Sequence, residues 1–449
     1  MVTVSQQSTD ELKRSLAGML AFEGERVARV VDATRLRSEV IDGLIRAAVF
    51  APADDVRDLA RQAIRDAARL LGAAPASIQR LYEAMGRGEV SGFTVPALNL
   101  RILPYDAARA VFQAASDLDA GPIIFEIARS EIGYTAMRPA EDAANVEAAA
   151  RREGDAGPLF IQGDHFQVNA PRYRSEPEAE LRALRELTAE AVDAAFLNID
   201  VDSSTLVDLS QPSISEQQRP NFNVAAQMIR FIRSIEPQDK VISVGVEIGE
   251  VGGKNSTPEE LRAFMDGLRA ELDGLTGPSK ISVQTGSSHG GVVLPDGSIA
   301  EVAIAFDTLE EMSRLAREEY GMAGAVQHGA STLPDELFHR FREVGTAEIH
   351  LATAFQNMVY DSPLFPEALR REVHAYLKEK HAGEWKEGQT EAQFIYSNRK
   401  RALGPFKRQM WELPEDARSE LRRALKERFT FLFRQLGIDG RRALLSTYA

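Results

Sequence analysis

The chain has 449 residues, with 53 lysines and arginines against 67 aspartates and glutamates, which gives a formal net charge of −14. This balance argues against nucleic acid and anionic membrane surfaces as partners, because phosphate groups must be met by clustered cations. The chain has no cysteine, which excludes disulfides, thiolate zinc sites, iron–sulfur clusters and cysteine nucleophiles.

Residues 1–90 are predicted to form an N-terminal helical extension, helical throughout. An S-x-x-E capping signal runs from Ser8 to Glu11, and apolar residues then recur at helical spacing. No signal-peptide core and no run of about 18 apolar residues is present, so we expect a cytoplasmic protein without a membrane segment. This extension offers no chemistry, and we expect it to serve as a helical layer or an oligomer contact rather than to dock a partner.

Residues 91–365 alternate between short apolar runs and amphipathic helical segments. Buried apolar strands separated by helices are typical of a parallel sheet covered by helices. Eight such units over about 260 residues predict an α/β protein with a (β/α)8 TIM barrel. A doubly wound open sheet is the alternative, but the first strand is not followed by the glycine-rich loop common in that fold. The eight runs are Phe93–Leu98, Pro122–Ile127, Pro158–Ile161, Ala195–Ile199, Val241–Val246, Lys280–Val283, Gly324–Val326 and Glu348–Leu351.

Residues 366–449 are predicted to be a C-terminal helical extension packed on the barrel. This segment is charged, carries both tryptophans of the chain and includes a late amphipathic helix from Glu415 to Leu436.

Histidines mark the carboxyl ends of the predicted strands, where a barrel of this kind places its reactive side chains. Four of the seven histidines lie within or just beyond these strands, namely His165, His289, His328 and His350. Imidazoles that converge from separate strands predict a metal site, and three neutral nitrogens with a carboxylate in reserve suit Zn²⁺. A single histidine at a strand end is more often a structural group, but three of them beside Gly or Asp favour metal binding.

The other polar residues at these strand ends each fit two interpretations. Asp164 fits a helix N-cap as well as a reactive acid, and Asp200 fits an ordinary loop position. Glu247 lies in an apolar run, where a buried carboxylate needs a metal or an arginine as its partner. The pairs Gly252-Gly253 and Gly290-Gly291 fit plain turns or a close approach of backbone N–H groups to a phosphate.

Five motifs together resemble the class II, zinc-dependent fructose-bisphosphate aldolases over roughly residues 92–361. Their order and mutual spacing both fit that family. They are F-T-V-P-A-L-N ending at Asn99, Q-G-D-H ending at His165, V-E-I-G-E-V-G-G ending at Gly253, S-H-G ending at Gly290, and Q-H-G-A-S ending at Ser331. A further stretch, from Phe125 to Pro139, is more similar to the accessory subunits of the tagatose-bisphosphate aldolases.

This resemblance implies a metal-dependent aldolase that reversibly cleaves a phosphorylated ketose. The default substrate is fructose 1,6-bisphosphate, with dihydroxyacetone phosphate and glyceraldehyde 3-phosphate as products. The metal is Zn²⁺ or another divalent ion, and the residues that match its ligands are His165, His289 and His328, with Glu247 as a carboxylate that exchanges onto it. Asp164 matches the acid/base residue at the C4 hydroxyl. No lysine at a predicted strand end offers a Schiff base, so a metal route is the natural one.

The resemblance also implies how the sugar phosphate is held. The residues that match substrate and phosphate contacts are Asn99, Gly290, Gly329, Ser331, Thr353 and Arg399. In relatives the matching arginine acts from a neighbouring subunit, which implies a homodimer or higher homo-oligomer, and Arg401 is an alternative match.

The sequence departs from the family in two places. Relatives carry N-x-D-T on the last strand, where this chain has H-L-A-T ending at Thr353, and the loop after Gly253 lacks the usual acidic residues. Glu250 is a candidate replacement for the missing loop acid. Three alternatives therefore stay open: a non-catalytic accessory subunit, an aldolase for a different sugar phosphate, and another metal-dependent barrel enzyme such as a hydrolase.

Overall fold

The computed structural model describes residues 2, 6–249, 254–286, 294 and 304–449. The strands in this part of the chain are β1 (Leu20–Glu23), β2 (Arg26–Val30), β3 (Ala74–Pro75), β4 (Val95–Asn99), β5 (Ile124–Ala128), β6 (Pro158–Gln167), β7 (Asn198–Asp202), β8 (Ser243–Glu247), β9 (Lys280–Val283), β10 (Ala325–Gln327) and β11 (Glu348–Leu351).

Strands β4 to β11 pair in chain order, and β11 pairs with β4, so that eight parallel strands close into a barrel. The predicted (β/α)8 TIM barrel is thereby confirmed. Each observed barrel strand overlaps the apolar run that predicted it, because strands covered on both faces need apolar residues at successive positions.

Helices connect the strands and surround the barrel. Proline at the first helical position begins α6, α8 and α12 of the list below, and a glycine in the left-handed conformation ends α8 and α19. The α-helices are α1 (Thr9–Leu16), α2 (Ala33–Arg35), α3 (Ile41–Phe50), α4 (Asp54–Leu70), α5 (Gln79–Gly86), α6 (Pro104–Leu118), α7 (Arg129–Thr135), α8 (Pro139–Glu153), α9 (Ala170–Ser175), α10 (Pro177–Asp193), α11 (Ile214–Ile235), α12 (Pro258–Leu272), α13 (Phe306–Tyr320), α14 (Arg340–Glu343), α15 (Thr353–Tyr360), α16 (Glu367–Lys380), α17 (Glu391–Asn398), α18 (Lys407–Trp411), α19 (Glu415–Leu436) and α20 (Ala443–Tyr448).

The first ninety residues are not helical throughout, so that part of the sequence prediction is wrong. Strands β1 and β2 form an antiparallel hairpin in which Glu23 faces Arg26. Gly24 occupies the first of the two loop positions with φ +63°, which suits the tight turns that match the twist of paired strands. The hairpin packs on α4, where buried Asp66 accepts hydrogen bonds from the side chain of Arg26 and the backbone of Val27.

Helix α5 and strand β3 close the amino-terminal end of the barrel. Strand β3 pairs with the start of β6, and the backbone N–H of Ile78 donates to the Asn198 side chain at the start of β7. The phenol of Tyr82 on α5 reaches into the barrel and donates to Glu348 at the start of β11. The segment before the barrel therefore covers the end opposite to the strand carboxyl ends.

Helix α19 of the C-terminal segment packs along α6 and occupies the predicted range from Glu415 to Leu436. Its Arg422 pairs with buried Asp106 on α6. None of the helices in the described part of the chain has both the length and the apolar character that a bilayer crossing requires.

Candidate active site at the carboxyl ends of the strands

A cavity of about 570 Å³ opens at the carboxyl ends of the barrel strands. It brings together most of the site residues predicted from sequence. Those that line it are Asn99, Asp164, His165, His328, Gly329, Ser331, His350 and Thr353. Glu247 joins them through contact with His165. His289, Gly290 and Glu250 lie outside the described residues, and their predicted roles stay predictions.

A bulge in β6 directs two consecutive side chains to this cavity. The pairing of β6 with β7 shifts register between Gly163 and Phe166, and His165 within the bulge has a φ of +38°. Gly163 leaves room for the Phe166 ring, since a Cβ there would lie 2.6 Å from it. Bulges re-aim side chains beside functional sites, and here both Asp164 and His165 line the cavity. Asp164 is part of β6, so the helix N-cap interpretation is wrong.

His165, Glu247 and His328 form a group with the character of a metal site. His165 lies with Nδ1 3.1 Å from Glu247 Oε2 and with Nε2 2.8 Å from His328 Nδ1. One donor atom from each residue lies within 4.8 Å of the other two. Two imidazoles and a carboxylate are a donor set that fits Zn²⁺ or a similar divalent cation.

Further side-chain contacts fix the orientation of the two imidazoles in this group. Nε2 of His328 lies 2.9 Å from Ser282 Oγ, and Asp202 Oδ2 lies 3.1 Å from His165 Nδ1. Such outer contacts fix the ring orientation of metal-binding histidines. Burial and the charge of Asp202 raise the pKa of Glu247 to about 7, so a divalent cation would relieve a concentration of negative charge here.

Asp164 is a buried carboxylate held at both oxygens. Asn99 donates from Nδ2 to Oδ2 at 3.0 Å, and His350 Nδ1 lies 3.1 Å from Oδ1. Burial opposes ionisation, but the neighbouring imidazoles of His165 and His350 outweigh it and hold the pKa of Asp164 well below its usual range. Asp164 is therefore a carboxylate that favours its ionised form beside the candidate metal group.

The barrel interior beneath Asp164 is polar, which the sequence interpretation missed. Lys280 Nζ lies 2.5 Å from Glu348 Oε1, 3.0 Å from Asp200 Oδ1 and 2.8 Å from Gln162 Oε1. Gln162 also donates to Glu126 at 2.8 Å. All five of these side chains are buried, whereas branched apolar side chains usually fill this space. Lys280 is fully engaged at the start of its strand and does not reach the cavity lining.

Polar residues that recur at every second position of a strand are the sequence signal for this polar interior. Three strands carry polar residues two positions apart. They are Gln162 and Asp164 on β6, Asp200 and Asp202 on β7, and Glu348 and His350 on β11. Residues two apart face the same side of a strand. The pairs therefore place one polar residue deep in the barrel and a second nearer the cavity.

Three of the phosphate-contact residues predicted from the resemblance, Gly329, Ser331 and Thr353, line the cavity. The hydroxyl of Ser331 accepts from the backbone N–H of Ala352 at 2.8 Å, and Thr353 begins α15. Among the described residues no side chain caps the start of α15, which adjoins the cavity at Thr353. The N–H groups at a helix N-terminus suit an anion such as phosphate.

Cationic side chains also line the cavity, and Arg101 lies 3.4 Å from the hydroxyl of Thr353. Arg101 pairs with Glu131, and Arg129 pairs with Glu180. Within the described chain no carboxylate lies at salt-bridge distance from Lys400, whose Nζ lies 5.6 Å from the centre of the Tyr134 ring. Partial burial and the positive charges of Arg101 and Arg401 lower the pKa of Lys400.

Arg399 does not lie in this cavity of its own chain. It pairs with Asp361 at 2.6 Å and lines a separate cavity of about 640 Å³ between α15, α16 and α17. Its predicted role concerns a neighbouring subunit and stays a prediction. The adjacent Lys400, which sequence analysis passed over, lines the cavity instead.

Comparison with known proteins places this geometry in context. A sequence model described as fructose-bisphosphate aldolase class-II matches residues 79–424. No curated protein sequence is significantly similar to the chain.

Solved structures share the fold at low sequence identity. Fructose-bisphosphate aldolase from Campylobacter jejuni matches with a TM-score of 0.51 and 15% identity over 82% of this chain and 97% of that chain. A probable tagatose 6 phosphate kinase from Sinorhizobium meliloti 1021 gives 0.52 and 16% over 79% and 99%. The fructuronate-tagaturonate epimerase from Cohnella laeviribosi gives 0.57 and 13% over 77% and 82%. At these identities the structural likeness shows the barrel fold alone.

Proposed function

Because the chain belongs to the class-II fructose-bisphosphate aldolase family, we propose that it is a divalent-metal-dependent aldolase that reversibly cleaves a phosphorylated ketose between C3 and C4. Fructose 1,6-bisphosphate is the default substrate, with dihydroxyacetone phosphate and glyceraldehyde 3-phosphate as products. The observation that carries this proposal is the cluster of His165, Glu247 and His328 beside the ionised Asp164 in one cavity.

His165, Glu247 and His328 would hold the metal, with His289 as the further proposed ligand. A divalent cation bound there supplies a Lewis acid for the negative charge that the ketose fragment gains when the carbon–carbon bond breaks. The roles of the outer partners follow from their contacts: Asp202 and Ser282 hold the two imidazoles in place.

Asp164 takes the proton from the C4 hydroxyl during cleavage and returns it during synthesis. It suits this role because it is ionised and because Asn99 and His350 fix its two oxygens. Asn99, the proposed substrate contact, lines the cavity and uses its amide N–H groups on Asp164 and Glu131. Its contribution is therefore to orient the base as much as to touch the sugar.

Two sets of cavity residues would bind the anionic groups of the substrate. Gly329, Ser331, Thr353 and the start of α15 would hold one phosphate, together with the proposed Gly290. Lys400 faces the cavity without a carboxylate partner in the described chain and would meet the distal phosphate. Arg399 would act in this way only from a neighbouring subunit of a homo-oligomer.

A different ketose is the second candidate, favoured by the altered end of β11. His350 and Ala352 stand where relatives carry an amide and a carboxylate, and both line the cavity. The epimerase likeness adds ketose acids to the substrates worth testing, since cleavage and re-addition on the other face of an aldehyde would use the same groups. An accessory subunit is the weaker alternative, because a scaffold has no need of a convergent donor set.

A substrate panel on the purified full-length protein tests the proposal. Triose phosphate release would be followed in a coupled assay with fructose 1,6-bisphosphate, tagatose 1,6-bisphosphate and fructose 1-phosphate, and loss of fructuronate by NMR, each with and without a chelator. We expect cleavage of at least one ketose phosphate that stops on chelation and returns with Zn²⁺. Metal binding without any cleavage would overturn the aldolase proposal in favour of the accessory or altered-substrate alternatives.

A further inference from the structure

A chain of hydrogen bonds joins the closed end of the barrel to Asp164. Tyr82 on α5 donates its phenolic O–H to Glu348 Oε2, and Glu348 Oε1 lies 2.6 Å from His350 Nε2. The other nitrogen of the same imidazole, Nδ1, lies 3.1 Å from Asp164 Oδ1. Four side chains therefore connect a helix outside the barrel to the carboxylate at its opposite end.

All four side chains in this series of hydrogen bonds are buried. Tyr82 and Glu348 are 0% exposed, Asp164 is 4% and His350 is 5% exposed. Breaking a buried polar contact leaves a group that no solvent can satisfy, so such networks hold their geometry firmly. Lys280 and Gln162 fix Glu348 from the side through its Oε1 atom.

The imidazole of His350 connects the two carboxylates of this network. Its two nitrogens face different carboxylates, so the ring plane is set by Glu348 at one end and by Asp164 at the other. Glu126 Oε1 also lies 3.1 Å from Nδ1 and competes with Asp164 for that nitrogen. A small rotation of the ring would move its donor from Asp164 toward Glu126.

We propose that Tyr82, Glu348 and His350 are positioning residues that hold the Asp164 carboxylate at its working angle, so that α5, on the closed side of the barrel, takes part in turnover. The idea rests on the proposed function, in which Asp164 is the base. Tyr82 restricts Glu348, Glu348 fixes the imidazole, and the imidazole fixes Oδ1 of Asp164. Displacement of a catalytic group by less than 1 Å is enough to slow a reaction markedly.

A matched pair of tyrosine variants separates positioning from mere packing. Tyr82→Phe removes one buried hydroxyl that donates to Glu348. Tyr105→Phe removes one buried hydroxyl that donates to Asp42, and neither Tyr105 nor Asp42 lines the cavity. Both would be measured in the full-length metal-loaded protein with the ketose phosphate that it cleaves. We expect Tyr82→Phe to lower kcat about 10-fold with little change in KM, and Tyr105→Phe to leave both constants unchanged.

Variants of His350 give a second arm with rescue. His350→Ala removes the side chain that connects Glu348 to Asp164, whereas His350→Asn keeps an N–H donor for Asp164. We expect the asparagine variant to recover a substantial part of the kcat that the alanine variant loses. Equal losses in both, or equal kcat for Tyr82→Phe and Tyr105→Phe, would overturn the proposal.

A spectroscopic readout distinguishes failure of this proposal from failure of the proposed function. Ring N–H signals of ¹⁵N-labelled histidine report hydrogen bonds at each nitrogen, and His350 would be assigned by its loss in His350→Asn. We expect Tyr82→Phe to shift the His350 ring signals and Tyr105→Phe to leave them in place. Unmoved signals would overturn the positioning role whatever the protein cleaves, whereas shifted signals in a protein that cleaves no ketose would refute only the aldolase function.

Discussion

His165 and His328 face each other at the mouth of the barrel, with Nε2 of the first 2.8 Å from Nδ1 of the second and their ring centres 4.0 Å apart. Metal binding by this pair requires each imidazole to lose the proton on the nitrogen that binds the ion. Glu247 contributes a carboxylate oxygen from β8 to the same group. The pair is the structural basis of the first prediction.

Removal of either imidazole should remove the metal. We expect the wild type to retain about one divalent ion per chain after dialysis, and His165→Ala or His328→Ala to retain far less, because the remaining donors are too few. His289→Ala should behave in the same way if its predicted role is correct. Elemental analysis measures the metal, and His339→Ala, at the N-cap of α14 and not among the residues that line the cavity, is the control. Full metal content in His165→Ala and His328→Ala would contradict the assignment.

Asp164→Asn should separate metal binding from turnover. The amide keeps the shape of the side chain but cannot accept the proton, so kcat should fall by about 10² to 10⁴-fold. Metal content should stay at the wild-type level, since Asp164 is not in the proposed ligand set. Kinetics and elemental analysis of the same preparation decide the point. Asp208→Asn, in an exposed loop, is the control, and loss of metal in Asp164→Asn would show that this residue is a ligand.

Lys400→Met should weaken binding of the distal phosphate. Loss of a charge-assisted contact of about 1.5–3 kcal/mol should raise KM for a ketose bisphosphate by at least about 10-fold. A ketose 1-phosphate, which has no distal anion, should show the same KM in variant and wild type. Lys386→Met, at an exposed position of the C-terminal segment, is the control. An equal effect on both substrates would show that Lys400 acts on the structure of the cavity rather than on the phosphate.

Stability should depend on pH through Glu147, which lies outside the site. Burial raises the pKa of this carboxyl from 4.5 to about 7, and its nearest cation among the described residues is Arg65, with Nε 3.5 Å from Oε1. The folded state binds the proton more tightly than the unfolded state, so the free energy of unfolding falls as the pH rises from about 4.5 to 7.

Glu147→Gln removes this penalty. Relative to the wild type, the variant should gain about 3 kcal/mol in the free energy of unfolding at pH 8 and almost nothing at pH 4.5. Urea unfolding at the two pH values measures the difference. Glu372→Gln, at an exposed position of α16, should show no such pH-dependent gain. A loss of stability in Glu147→Gln at pH 8 would mean that the contact with Arg65 outweighs the cost of burying the charge.

The barrel was predictable from sequence because parallel strands buried on both faces require continuous apolar runs, and Lys280–Val283 and Glu348–Leu351 even coincide with their runs. The gathering of Asp164, His165 and His328 was predictable for a related reason: parallel strands bring their carboxyl ends to one face. The hairpin of β1 and β2 was missed because helical spacing on either side of it outweighed a short alternating stretch around Gly24.

The contacts of the polar interior and of the cavity rim could not be predicted from sequence motifs, because they depend on tertiary structure. Tyr82 lies far from Glu348 in the chain, and only closure of the barrel brings its hydroxyl to that carboxylate. The choice between Arg399 and Lys400 depends on how the C-terminal helices fold back, because the two residues are neighbours that face different cavities.

The bulge in β6 places the proposed proton acceptor and a proposed metal ligand on consecutive residues. Asp164 and His165 point to the same cavity only because the backbone between Gly163 and Phe166 holds one residue more than its partner strand. Deleting a single residue there would restore regular alternation and turn one of the two side chains into the surrounding helices. The length of this four-residue segment therefore cannot change without loss of one of the two side chains from the cavity, even where individual side chains could be exchanged.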